Sequence, residues 1–583
     1  MLQTAVVAVR DRARLQEIVG VLLRFGLADL VDTLGLARFA PRGGMASSSP
    51  GPAAEHPLDA SRPERLRMAL EHLGPSFVKL GQILATRSDL LAPEWTAALQ
   101  QLHSHAAPLP WETARPLIEQ SLGLPVDQVF THFDPVPLAS ASIAQVYRAR
   151  LKAETARQEG SDANEAIPGP DIDVVVKVQR PGLRPQIEAD LRLLEHLALL
   201  AQAQWPQLAR LRPREVTRQL GQALREELDF TVEAHNGDAV AAHFANQDEI
   251  VVPRIHWALS GPRLLVQDYV AGVPASAVGT DPALDGPLLA RRGARAFLQM
   301  VLRDGLFHAD PHPGNLLALP GNRVGFIDFG MVGRLSPRRR RQVLGLMRAL
   351  VEGQSRSLAG VLLDWAAENE SPGHASPSAA RIEVAVDRFV TRHGPGAGSG
   401  RLVMSRALQD FMALARETGV ALPADMALLL KALITADQVL LQLDPQFDVV
   451  ETATPLVKAQ LLQRYSLRSL ARQRRAAMAQ WMELADDAPH TLRLVMQRLR
   501  SGRVQADLDI RHIDRLSLAL ERAATRLALA VVSGAFILGL APGLLTMGPR
   551  LWGVPLFAAL GVAGAGASLA VLFITMRRQK ALD

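Results

Sequence analysis

Asp310, Asn315 and Asp328 are the residues of this chain best suited to doing chemistry. They stand in Phe307-His308-Ala309-Asp310-Pro311-His312-Pro313-Gly314-Asn315-Leu316 and, shortly after, in Val324-Gly325-Phe326-Ile327-Asp328-Phe329-Gly330. A carboxylate, an amide five residues on and a second carboxylate behind a short apolar strand are suited to holding an acceptor hydroxyl and the magnesium ion of a nucleotide. Phosphoryl transfer needs position and charge neutralisation more than covalent help. Asp310 would accept or orient the proton of the attacking hydroxyl or water. Asn315 and Asp328 would give magnesium oxygen donors, with phosphate oxygens completing the shell. His308 and His312 flank Asp310 but read as structural, because imidazole has no part in magnesium–phosphate chemistry.

Such a site needs a cation for the inner phosphates and an element to hold it. Asp171 to Gln179 carries Val174-Val175-Val176-Lys177-Val178, a β-strand by its run of Val with a single Lys. Further on, Arg225 to Asn236 reads as a charged helical segment, one of whose carboxylates should pair with Lys177. A phosphate-cradling loop should precede the lysine strand, yet no Gly-x-Gly-x-x-Gly stands near it. Its place is taken by Pro137-Leu138-Ala139-Ser140-Ala141-Ser142-Ile143-Ala144-Gln145-Val146, and Ala cannot follow Gly into the same backbone conformations.

Upstream lies Phe77-Val78-Lys79-Leu80-Gly81-Gln82, a Lys-x-Gly-Gln segment at helical spacing. With the Ala-rich loop, the strand lysine, Glu227-Leu228-Asp229-Phe230 and the two acidic motifs in this order, the chain resembles the UbiB family. These are atypical protein-kinase-like proteins that support ubiquinone biosynthesis. The resemblance runs from about Arg14 to the C-terminus. It implies that Lys79 and Gln82 sit on a helix folded over the nucleotide site, with Glu227 and Asp229 meeting Lys79. It pairs Glu233 with Lys177 and makes Leu138, Ala139, Ser140, Ala141, Ser142, Ile143, Ala144, Gln145 and Val146 the nucleotide loop. Asp310 becomes the proton acceptor, Asn315 and Asp328 the metal ligands, and ATP and Mg2+ the cofactors. The sequence departs from the family pattern after Lys-x-Gly-Gln, where Leu102-His103-Ser104-His105 replaces the usual Leu-Gln-Asp.

The expected fold is α+β: a bilobal protein-kinase-like body with an N-terminal helical extension and a C-terminal transmembrane helical hairpin. Residues 1–40 form an amphipathic helical segment, with Leu15, Ile18, Leu22 and Phe25 at helical spacing. A Pro-, Gly- and Ser-rich linker follows at 41–62. The Lys-x-Gly-Gln extension spans 63–122, the smaller lobe 123–266 with a polar insertion at 152–170, and the larger lobe 267–466 with a flexible insertion at 371–400. A helical, Arg-rich connector covers 467–526. Two uncharged stretches, Leu527 to Met547 and Leu551 to Met576, are each long enough to cross a bilayer, with the turn placed at Gly548-Pro549-Arg550.

Arg522 and Arg526 precede the first stretch, while Arg577, Arg578 and Lys580 follow the second. By the positive-inside rule both ends, and the kinase-like body, face the cytoplasm at the inner membrane. The net charge of +6 suits an anionic membrane surface. Aromatic residues make up 5 %, too sparse to suggest nucleic acid, and zero cysteines rule out thiolate chemistry. The implied protein is a membrane-anchored, Mg-ATP-dependent atypical kinase or ATPase that acts on or mobilises polyprenyl quinone intermediates. Its implied partners are membrane lipids and other ubiquinone-biosynthesis proteins. A small-molecule kinase acting on a quinone precursor and a nucleotide-gated scaffold are the rival readings.

Overall fold

The computed structural model describes residues 11–33, 35–39, 60–85, 91–102, 106–153, 171–204, 213–368, 378–394, 404–464, 550–551 and 554–555. The chain divides into two units, Met1–Leu470 and Ala471–Asp583. The first mixes helices and sheets and is mostly helical.

The smaller lobe is an antiparallel sheet in the order β1 (Phe130–Phe133), β3 (Ala144–Leu151), β4 (Ile172–Gln179), β6 (Leu264–Asp268), with β2 (Ala139–Ser140) paired to β3. Strand β4 is central, not an edge, and Lys177 stands in register with Val146 on one side and Leu265 on the other. Successive side chains of a strand alternate between faces. Val174, Val176 and Val178 therefore bury against Ala114 and Ile118 of the helix Trp111–Leu122. Lys177 is left on the opposite face, where Phe230, Ala234 and Ile255 pack against Ala144 and Leu265.

In the larger lobe, β8 (Leu306–His308) pairs with β11 (Val332–Arg334), and β9 (Leu316–Leu319) with β10 (Arg323–Phe326). The segment 309–315 bridges β8 and β9, and Asp328 follows β10 directly, so both acidic motifs leave strand ends side by side. Gly333 makes the first pairing possible: a Cβ there would come within 2.1 Å of the Phe307 ring. Helices including Gly286–Gln299, Pro337–Glu352, Met404–Thr418 and Ala424–Leu443 enclose the core beneath.

The extension has its own core. Leu15, Ile18 and Leu22 of the helix Arg12–Arg24 pack with Phe77, Ile187, Leu220 and Leu224. The N-terminal amphipathic face is thus covered by protein. Ser61 caps the helix Arg62–Leu73 through a reciprocal bond pair with Glu64, so the expected linker ends one residue sooner. Gly81 of Lys-x-Gly-Gln faces Leu102, and a Cβ there would lie 2.2 Å from Leu102 Cδ1.

Several expectations need correction. The tract 371–400 is not wholly irregular: Ala379–His393 is a helix burying Ile382, Val386, Phe389 and Val390. That apolar spacing outweighs the flanking Pro and Gly. The segment Arg225–Asn236 is not one helix: Pro213–Glu227 ends at Leu228, and Phe230–Phe244 begins anew after Asp229. In the second unit, Arg550–Leu551 pairs antiparallel with Val554–Pro555. Gly548 and Pro549 of the expected turn lie outside the described residues. The two expected membrane spans, the connector 467–526 and most of the insertion 152–170 lie outside the described residues. Among those described, only Ala424–Leu443 is long and apolar enough to cross a bilayer. It is instead a core helix, burying Met426, Leu429, Leu430 and Leu440.

Candidate nucleotide site

Lys177 meets the Glu233 carboxylate with both oxygens, Nζ donating to Oε2 at 2.7 Å and Oε1 at 3.0 Å. Glu233 lies in the first turn of Phe230–Phe244, where the helix dipole favours a negative charge. Asp229 caps that helix, accepting from the Thr231 amide at 3.0 Å and the Thr231 hydroxyl at 2.6 Å. Of the two carboxylates expected at Lys79, Glu227 reaches it at 2.9 Å. Asp229 is instead committed to its cap, because a chain restarting a helix needs an acceptor for its first amides. Gln82 sits one turn after Lys79 on the helix Pro75–Ala85, half-buried.

Asp328 Oδ1 lies 3.9 Å from Lys177 Nζ, so the two lobes meet at this pair. Its backbone has φ of 61°, the left-handed region that a non-glycine residue adopts at a cost and that is often found at functional positions. The turn is held by the Gly330 amide donating to Asp328 Oδ1 at 3.2 Å. Gly330 also keeps the approach open, since a Cβ there would sit 3.2 Å from that oxygen and 3.6 Å from Glu233 Oε2. Phe329 is buried against His308, ring centroids 5.4 Å apart, and its carbonyl accepts from Asn236 Nδ2. Asn236 in turn accepts from Arg334 Nη2 at 3.1 Å.

The charges of this cluster depend on one another. Burial pulls the Lys177 ammonium down, but the carboxylates of Asp328 and Glu233 outweigh it and the net shift is upward. Burial raises Glu233, with Lys177 opposing. Lys177 holds the Asp328 carboxyl below its usual range, against burial. Lys177 is thus a lasting cation and Asp328 a lasting carboxylate at neutral pH.

Asn315 Nδ2 donates to the Asp310 carbonyl at 3.1 Å, which leaves Asn315 Oδ1 as the atom a cation would use. Among the described residues no three His, Cys, Asp or Glu side chains gather into a metal cage. One carboxylate and one amide oxygen is nonetheless the donor set that fits magnesium, which keeps few protein ligands and relies on phosphate oxygens. The residues present therefore fit Mg-ATP.

His308 is fully buried, its Nε2 donating to the Ile327 carbonyl at 3.0 Å and its Nδ1 accepting from the Asp310 amide at 3.2 Å. These bonds fix a neutral tautomer, and burial lowers its pKa. The imidazole ties the two acidic motifs together. His312 Nδ1 accepts from the Gly314 amide at 3.0 Å, a turn contact.

The Ala-rich segment is a tight hairpin more than a loop. Leu138 and Ala139 are exposed and Ser140 half-buried, the Ala141 amide donates to the Ala144 carbonyl across a turn made by Ser142 and Ile143, and Ile143, Ala144 and Gln145 are buried. Val146 is half-buried, paired with Lys177. Gln145 does not face the cleft: its Oε1 accepts from the Leu109 amide at 2.8 Å, and its Nε2 donates to the Tyr147 hydroxyl at 2.7 Å.

Two residues escape notice in the sequence. Arg180 braces the hairpin tip, donating through Nε to the Ala141 carbonyl at 2.8 Å and through Nη2 to Ser140 Oγ and the Ala107 carbonyl, both at 2.6 Å. Lys431 places Nζ 3.4 Å from Asp310 Oδ1. Its only signal is that it is the sole cation of Ala424–Leu443, a predominantly apolar helix.

A lysine–glutamate pair joined to an Asp-Phe-Gly carboxylate, with an Asp and an Asn on the neighbouring segment, is a protein-kinase-like arrangement. Comparison with known proteins agrees. The ABC1 atypical kinase-like domain matches residues 101–362, the UbiB helical domain 399–448, and the ABC1/UbiB kinase-like C-terminal domain 511–578. A probable protein kinase UbiB from Xanthomonas campestris pv. campestris (strain 8004) is 33 % identical over 531 residues, covering 89 % of this chain and 91 % of that one. Its counterpart in Xanthomonas oryzae pv. oryzae (strain MAFF 311018) is 32 % identical over the same length. A solved Mycobacterium tuberculosis structure, the Rv3197–erythromycin complex, is 24 % identical with a TM-score of 0.42, covering 64 % of this chain and 90 % of that chain. The chain belongs to the UbiB family of atypical kinase-like proteins.

Proposed function

We propose that this chain is an Mg-ATP-dependent atypical kinase or ATPase, anchored at the inner membrane with its kinase-like body in the cytoplasm. Its role would be to support ubiquinone biosynthesis by acting on, or mobilising, polyprenyl lipid intermediates. The observation that carries the enzymatic part is the meeting of Lys177, Glu233 and Asp328 opposite Asp310 and Asn315. In this reading Lys177, oriented by Glu233, grips the inner phosphates, while the Ala-rich hairpin covers them. Magnesium, when bound, neutralises the phosphate oxygens. Asn315 Oδ1 and Asp328 would hold it. Asp310 orients the acceptor and takes its proton.

The helix carrying Lys79 and Gln82 supports an acceptor other than a protein. Lys79 is pinned to Glu227 at 2.9 Å, immediately before the helix that positions Glu233. An extension tied there leaves little room for an extended peptide. The uncharged stretches 527–547 and 551–576, with arginines at their outer ends, support work beside a bilayer. Other ubiquinone-biosynthesis proteins are the partners this reading expects.

The test compares ATP turnover by the purified full chain with that of Asp310→Asn and Asp328→Asn. Turnover should fall at least about a hundredfold in each, the usual scale for losing general-base or electrostatic help. Equal turnover in all three removes the enzymatic reading. Accumulation of a phosphorylated quinone precursor in cells would favour the small-molecule kinase instead. Full rescue of quinone synthesis by Asp310→Asn would favour the nucleotide-gated scaffold.

A further inference from the structure

We infer that Lys431 is a catalytic residue: its ammonium contacts the terminal phosphoryl group during transfer, a role resting on the nucleotide site proposed above. The helix Ala424–Leu443 buries eleven residues, and Lys431 is its one cation. Ammonium groups are seldom set into apolar helices without a partner or a function. The partner here is Asp310, at 3.4 Å, with both side chains partly open to the cleft, 28 % exposed for Lys431 and 40 % for Asp310. A committed charge-assisted bond is shorter, about 2.7–2.9 Å. This one is loose enough to be exchanged for a phosphate oxygen.

The other charges of the site leave such a position to fill. Lys177 is engaged by both oxygens of Glu233 and lies on the Asp328 side. From Asp310 to Asn315 the chain offers no Lys or Arg at all. Three carboxylates, Glu233, Asp310 and Asp328, would otherwise face a polyanionic nucleotide with Lys177 and the magnesium ion both on the Asp328 side and no cation from the protein beside Asp310. Charge in the transition state spreads over the equatorial oxygens of the transferred group, so a cation beside the acceptor does most there. Lys431 stands beside the acceptor's own carboxylate.

In the step itself, the bond from the γ-phosphorus to the β–γ bridging oxygen breaks, and its electron pair leaves on ADP. A bond forms from the γ-phosphorus to the acceptor oxygen, whose proton passes to Asp310. Lys431 keeps its protons and moves its contact from Asp310 to the γ-phosphate, which also frees Asp310 to take the acceptor's proton.

The experiment is calorimetric titration of the full chain with Mg-ADP and with the Mg-bound non-hydrolysable β,γ-imido analogue of ATP. Lys431→Met should weaken the analogue about tenfold, equivalent to 1.4 kcal/mol, and leave ADP within about twofold. Lys431→Arg, which keeps the cation, should retain most of the analogue affinity. Lys177→Met should weaken both ligands and serves as the contrast. Equal effects of Lys431→Met on the two nucleotides, or none on either, overturn the inference while the nucleotide site stands. Failure of the wild-type chain to bind either nucleotide overturns both.

Discussion

Lys177 on the central strand of the smaller lobe and Asp328 at the end of a strand in the larger one approach to 3.9 Å. They stand 151 residues apart in sequence, so only a closed cleft of the right topology could bring them together. Removing the ammonium strands the buried Glu233 carboxylate. Breaking a buried pair from one side costs about 3–5 kcal/mol, and the partial exposure of Lys177 places Lys177→Met at or below the lower end. Denaturant unfolding should show that loss, and adding Glu233→Gln should recover part of it.

Arg180 holds the Ala-rich hairpin by three contacts to Ala141, Ser140 and Ala107. Arg180→Ala should raise the nucleotide dissociation constant about tenfold, about one kilocalorie or more for hydrogen bonds to a charged group. The fold beneath should be unaffected, which near-unchanged far-ultraviolet dichroism would verify. An unchanged dissociation constant would remove Arg180 from the loop's support.

Gly333 faces the Phe307 ring so closely that no side chain fits. Gly333→Ala must push that ring into the packed core around Phe297, at a cost of about 1–3 kcal/mol. Urea titration reads it directly. A midpoint equal to wild type would show that β8 and β11 separate more easily than their pairing implies.

His308 is held neutral, with its pKa lowered by burial. A histidine that resists protonation only when folded adds stability above its unfolded pKa, about 6.5, and loses it as pH falls below that value. Melting temperature should therefore decline with acidification between about pH 6.5 and 5. His308→Gln, less stable overall, should show a shallower decline over the same interval.

The Lys79–Glu227 pair fastens the extension. Lys79→Met should increase amide hydrogen exchange in Pro75–Ala85, and exchange in the β4 strand should stay near wild type. Equal protection of Pro75–Ala85 in Lys79→Met and wild type would mean that apolar packing around Phe77 alone secures the helix.

The site is readable because its chemistry is written in short, strand-flanked motifs. Asp310 and Asn315 fall between β8 and β9, Asp328 just after β10, and Lys177 announces itself inside a Val run. Asp229 is open to misreading, since a carboxylate two residues from Glu227 has an equally good use as a helix cap, and spacing alone cannot separate the two. The helix Ala379–His393 is masked by neighbouring Pro and Gly, although Ile382, Val386 and Phe389 carry its period. Arg180 and Lys431 are invisible for a different reason. Each acts on a residue far away in sequence, and nothing beside either of them in the chain marks its target.

The joint at Leu228 and Asp229 has a mechanical consequence. Glu227, on one side, is anchored to the Lys-x-Gly-Gln helix, and Glu233, on the other, to the lysine of the small-lobe sheet. A tug on either anchor is transmitted through a hinge two residues long. Ligand occupancy and the posture of the N-terminal arm are then thermodynamically coupled, and whatever free energy one lends the other must be returned in kind.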